Sequence, residues 1–151
     1  MHRKIIILVI TILFIHSCGY SPMFSQNKNS KYNFELSSFE GDRDINNSIK
    51  YYFKRYNDDD GLKIFVKTNT EYSKGTKTKD LAGNIVSFSL SASVTFTVNY
   101  GDNTKTFKFG ESSTINNMQN SLDETIVEKD IKRNFGVLFS ERLILKFATI
   151  K

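Results

Sequence analysis

Few side chains in this sequence can do acid–base, nucleophilic or metal chemistry. Cys18 is the single cysteine, so no disulfide can form within the chain. The two histidines, His2 and His16, both precede it. Carboxylates gather at Asp58-Asp59-Asp60. A calcium loop of the EF-hand type spaces its ligands at alternate positions and closes with a glutamate. This run does neither, and it reads as a solvated turn between a helix and a strand. Lysines gather at Lys74, Lys77 and Lys79, with Glu71 and Asp80 as the nearby acids. Grouped ammonium ions suit a phosphate-bearing ligand as point charges, and Lys63, Lys67 and Lys108 can extend the patch. A lysine-rich loop in plain solvent is the other reading of the same residues.

The first residues remove most of what chemistry remains. Arg3 and Lys4 are followed by an apolar run from Ile5 to Ile15, broken only by Thr11. A membrane-spanning helix needs about 20 apolar residues, so this run has the length of a signal-peptide core. The sequence Ile15-His16-Ser17-Cys18 then resembles the lipobox of bacterial lipoproteins. That resemblance implies cleavage after Ser17, acylation of Cys18, and three parts: signal peptide 1–17, lipid anchor and tether 18–31, and one domain 32–151. An uncleaved anchor with an incidental cysteine is the alternative. The tether, Gly19 to Lys31, is polar and aperiodic and holds the single proline.

Cleavage would leave a chain with no histidine and no free thiol. A histidine base, a Ser–His or Cys–His pair and a zinc site of His and Cys are then excluded. An enzyme would need carboxylates or lysine, and Asp58, Asp59 and Asp60 have no converging partner in the sequence. We expect no catalytic residues, no metal and no cofactor. The net charge of +5 falls with the loss of Arg3 and Lys4 to 19 Lys+Arg against 16 Asp+Glu. That excess is too small to argue for nucleic acid.

The elements that would position the remaining residues are plain in the periodicity. Tyr32, Phe34 and Leu36 alternate with polar residues in a first strand. Ile45, Ile49, Tyr52, Phe53 and Tyr56 form one stripe of a helix capped by Asp44. A second strand begins at Leu62. Asp80–Asn84 is a hairpin tip. Val86, Phe88, Leu90, Ala92, Val94, Phe96, Val98 and Tyr100 then alternate with Ser87, Ser89, Ser91, Ser93, Thr95, Thr97 and Asn99, which only a strand explains. A fourth strand follows Gly101. Ser121-x-x-Glu124 reads as a capping box that opens a long helix. Its expected core stripe is Val127, Ile131, Phe135, Leu138 and Leu145, with Phe139, Leu143 and Phe147 on a second stripe facing an edge or a partner. The order is β-α-β-β-β-α. It implies an α+β two-layer sandwich, a four-stranded mixed sheet with two helices on one face.

This order, together with Cys-Gly-Tyr-Ser-Pro-Met-Phe at Cys18–Phe24, resembles the LPS-assembly lipoprotein family. In that family the lipoprotein plugs the β-barrel of the outer-membrane lipopolysaccharide translocon. The resemblance implies lipid anchoring to the outer membrane of a Gram-negative bacterium. It implies three partners: the assembly barrel, lipopolysaccharide, and the membrane through the N-terminal lipid. No catalytic role comes with it. The hydroxyl face of Ser87, Ser89, Ser91, Ser93, Thr95 and Thr97 then becomes a candidate barrel contact, since large barrels are polar inside. A solvated sheet face is the commoner meaning of such alternation. A free-standing envelope lipoprotein that binds an anionic ligand without a barrel stays open.

Overall fold

Period-2 alternation builds the centre of the molecule. In the computed structural model, which describes residues 32–57 and 60–149, the strands are β1 (Tyr32–Gly41), β2 (Leu62–Lys79), β3 (Ile85–Tyr100) and β4 (Asn103–Asn116). The expected signal peptide, Cys18, the tether, Asp58 and Asp59 lie outside those residues. The strands form one sheet in the order β1-β2-β3-β4. β1 and β2 run parallel and are joined by helix α1 (Arg43–Tyr56), while β2, β3 and β4 form an antiparallel meander. Helix α2 (Ser121–Ala148) closes the chain. The fold is the α+β arrangement that the periodicity implies.

The core lies between the sheet and the helices. Ile64 and Val66 of β2 and Leu90, Val94, Phe96 and Val98 of β3 are buried beneath Ile45, Ile49 and Phe53 of α1 and Phe135, Phe139, Leu143 and Phe147 of α2. Burying such side chains contributes about 1.5–3 kcal/mol each. Phe34 joins the layers, with its ring 5.5 Å from Phe53 and 5.8 Å from Phe147.

The start of α1 differs by a turn of logic from the expectation. Its N-cap is Asp42, not Asp44; the Asp42 carboxylate accepts from the Asp44 and Ile45 amides at 3.0 Å each. Asp44 sits in the first turn, where the helix dipole favours it. Gly41 has φ +88°, and any side chain there would run into the Thr70 carbonyl. Asn46 anchors the same corner, donating to the Glu40 carbonyl at 2.8 Å and accepting from Thr68 Oγ1 at 2.9 Å.

Helix α2 corrects the expected stripe. Phe139 and Leu143 are fully buried and Phe147 is 5% exposed, while Leu138 is 38% and Leu145 68% exposed. The inward row is one i+4 series from residue 127 to residue 147, only half-buried at Val127 and Ile131 and buried from Phe135 onward. Each such step turns about 40° past a full revolution, so the row winds around the helix. The helix can keep that row inward because its neighbours change along its length. Gly136 crosses α1, where an added Cβ would lie 2.6 Å from Ser48 Cβ and 2.7 Å from the Ile45 carbonyl. Phe147 ends among Tyr32, Phe34 and Tyr100. Phe139, Leu143 and Phe147 are therefore core, and no partner can reach them in the folded domain. The cap of α2 is also shifted: Asn120 accepts from the Leu122 amide, and Glu124 reaches back to the Met118 amide rather than to Ser121.

Candidate interaction surface

The helices cover one face of the sheet and leave the other open. The pairing register lays out that open face. Lys67, Thr97 and Thr106 form one row across β2, β3 and β4; Asn69, Thr95 and Lys108 form the next. Ser73, Ser91 and Ser112 form another, followed by Gly75, Ser89 and Thr114. The face is therefore dominated by hydroxyl groups. A shallow depression near its middle is lined by Asn69, Glu71, Ser93, Thr95 and Lys108. Ser93 donates to the Glu71 carboxylate at 3.3 Å. The β3 residues expected on this face are there, with one exception. Ser87 is buried, bonded at 2.6 Å to Thr78 Oγ1 beside the irregular end of β2. The register adds residues from β2 and β4 that the β3 pattern alone did not reveal, among them Asn69, Thr106, Ser112 and Thr114.

The six lysines do not converge. Lys74 points to the helix side of the sheet, 2.7 Å from Glu124 and 2.9 Å from Glu128, with Nζ 4.6 Å from the Phe88 ring centroid. The bond to Glu124 comes first in raising its pKa above the ordinary lysine value, against a smaller opposing effect of burial. Lys74 therefore ties β2 to α2. Lys77 turns to the open face and donates to Thr114 Oγ1 at 2.7 Å. Lys79 is exposed at the root of the hairpin tip. Lys63 pairs with Glu35 at 3.0 Å. Lys67 and Lys108 stand in adjacent rows of the open face, on β2 and β4 with β3 between them. The reason is geometric: alternation along β2 turns Lys74 to the face opposite Lys67, and the register is broken between Thr76 and Lys79.

Around Lys74 a polar network joins three elements. Glu128 accepts from Tyr72 Oη at 2.8 Å, and Lys132 lies 3.0 Å from Asp42 and 3.9 Å from the Tyr72 ring centroid. Burial first, then the Glu128 bond, pushes the Tyr72 hydroxyl pKa upward. Tyr52, half-buried and bonded to Glu141, is pushed up to about 12. Among the described residues no cluster of three His, Cys, Asp or Glu is placed to hold a metal ion. No described helix is long and apolar enough to cross a membrane.

No family model and no curated protein matches the sequence. Solved structures do match the fold. Rare lipoprotein B from Shewanella oneidensis superposes with a TM-score of 0.58 at 12% identity, covering 76% of this chain and 95% of that one. A minor lipoprotein from Acinetobacter baumannii gives a TM-score of 0.52 at 14% identity, covering 76% of this chain and 94% of the other. At these identities the likeness is one of fold.

Proposed function

We propose that this protein is a non-enzymatic outer-membrane lipoprotein that plugs the β-barrel of the lipopolysaccharide translocon, supports its assembly and helps deliver lipopolysaccharide to the cell surface. The observation that carries the reading is the open sheet face. One side of the sheet is sealed by two helices, while the other presents rows of serine and threonine with no element over it among the described residues. A polar barrel lumen offers matching donors and acceptors. The shared fold with two lipoproteins, and the lipobox-like Ser17-Cys18, favour a lipid-anchored envelope protein.

Extraction of the native protein from membranes in mild detergent tests this. The expected result is a stable complex with a very large β-barrel; a protein that emerges alone points instead to a free-standing lipoprotein. Mass spectrometry of the same preparation should find acylated Cys18 as the first residue, and Cys18→Ala should accumulate as precursor. An intact Met1 on the wild type would end the lipoprotein reading.

A further inference from the structure

With the six lysines dispersed, a denser group of cations stands out on α1. Its inward side is set by Ile45, Ile49 and Phe53, all buried. At about 100° per residue, Arg43, Lys50 and Lys54 fall within about 40° of one another, turned away from that side. Asn47 and Tyr51 share this outer face, and Arg55 lies on its flank. All six residues are exposed, Tyr51 to 68%. Arg43, Lys50, Lys54 and Arg55 form no ion pair with any described residue. The one carboxylate of the helix, Asp44 in its first turn, projects between Tyr51 and Arg55 on the same side, so this side carries four cations against one anion.

Solvation alone does not require four cations against one anion. Helix α2 exposes Asp123, Lys129, Asp130 and Arg133 together, and Arg133 pairs with Asp130 at 3.1 Å. The dipole favours Lys54 and Arg55 in the last turn of α1, but it disfavours Arg43 at the first position. The strip also runs about 16 Å along a convex helix rather than around a cavity. Such a shape does not close on a single small anion. It suits a ligand that carries several anionic groups along its length, with sugar rings able to rest on the exposed face of Tyr51.

We propose that the outer face of α1 is the docking surface for the phosphorylated sugar headgroup of lipopolysaccharide, held by Arg43, Lys50, Lys54 and Arg55. The proposal rests on the function above and names the surface by which the protein meets that ligand. The contacts are exposed charges, so binding weakens as salt screens them.

The test uses the full-length lipoprotein purified in detergent, with fluorescent lipopolysaccharide as the probe in low salt. The triple variant Lys50→Glu, Lys54→Glu, Arg55→Glu should bind about tenfold more weakly or worse, while still melting cooperatively, at a temperature lowered by a few degrees at most through the loss of the favourable last-turn charges. The sheet-face variant Lys77→Glu, Lys108→Glu should bind as the wild type does, and dephosphorylated lipopolysaccharide should bind the wild type poorly. Wild-type affinity in the triple variant overturns the proposal. So does an equal affinity of the wild type for phosphatidylglycerol vesicles, lost to the same degree in the triple variant, which would mark a general membrane contact. Barrel co-purification separates the two readings. A triple variant that keeps the barrel but loses lipopolysaccharide supports this proposal. A wild-type protein that keeps the barrel but binds no lipopolysaccharide overturns this proposal alone.

Discussion

The two helices lie on the same face of the same sheet, yet they are held to it in different ways. Helix α1 is uniform: Ile45, Ile49 and Phe53 face inward along its whole length and cations face outward. Helix α2 is divided. Its first half is attached by polar ties, Lys74 to Glu124 and Glu128, Tyr72 to Glu128, and Lys132 to Asp42, with Val127 and Ile131 only half-buried. Its second half is locked by Phe135, Phe139, Leu143 and Phe147. A short helix over one partner can keep one face inward. A helix of 28 residues meets several partners in turn, and its buried direction follows them.

The sharpest way to break this comparison is to cut into the second half of α2. Phe139→Ala or Leu143→Ala should cost about 2–5 kcal/mol, measured by denaturant unfolding, through lost transfer and a cavity. Leu145→Ala, on the exposed side, should stay within about 0.5 kcal/mol of the wild type. Equal costs at 143 and 145 would refute the winding row. Next in size is the crossing of the two helices. Gly136→Ala raises helix propensity by about 1 kcal/mol, yet the new methyl meets Ser48 and the Ile45 carbonyl. Overpacking should win, with a net loss of about 1–2 kcal/mol in the same assay. A gain would mean that the helices part easily there. At the α1 corner, Asn46→Ala leaves the buried Thr68 hydroxyl without its acceptor and should cost about 1–2 kcal/mol.

The smallest effect concerns the polar ties of the first half. The Lys74 bond and the Met118 amide hold the Glu124 carboxyl below the usual glutamate range. Burial pushes the Glu128 pKa up, but the bonds from Lys74 and Tyr72 and the charges of Lys74 and Lys132 outweigh it and leave it lowered. A lowered native pKa means that the unfolded state takes up protons first. The stabilisation from these carboxylates is therefore present above pH about 4.3 and lost as pH falls through their native values. Melting curves from neutral to acid pH should fall less steeply in Glu124→Gln, Glu128→Gln than in the wild type. Parallel curves would show that the ties contribute nothing to stability.

What could be read from the residues alone follows the same division. Alternation over β3 and the inward stripe of α1 have one period and one partner layer, so the element order, the mixed sheet and most of the core were visible. The split of α2 into two stripes failed because its row drifts, and a straight period placed Leu138 and Leu145 inside and Phe139 and Leu143 outside. The lysine patch failed for a related reason. Lys74, Lys77 and Lys79 are close in sequence, but a strand sends neighbours to opposite faces and a bulge resets the count. The basic face of α1 went unseen because its cations are spread through a helix chosen for its apolar residues. The two helix caps were each missed by one or two residues, a matter of which side chain reaches the first free amides.

The claim that the open sheet face meets a β-barrel is most directly tested by crosslinking in living cells. A photoreactive residue at Thr95, in the middle of that face, should give an adduct with a very large outer-membrane β-barrel, as should one at Ser91 or Thr106. Failure of all three positions to capture a β-barrel, in cells where the protein is present at its normal level, would contradict the account.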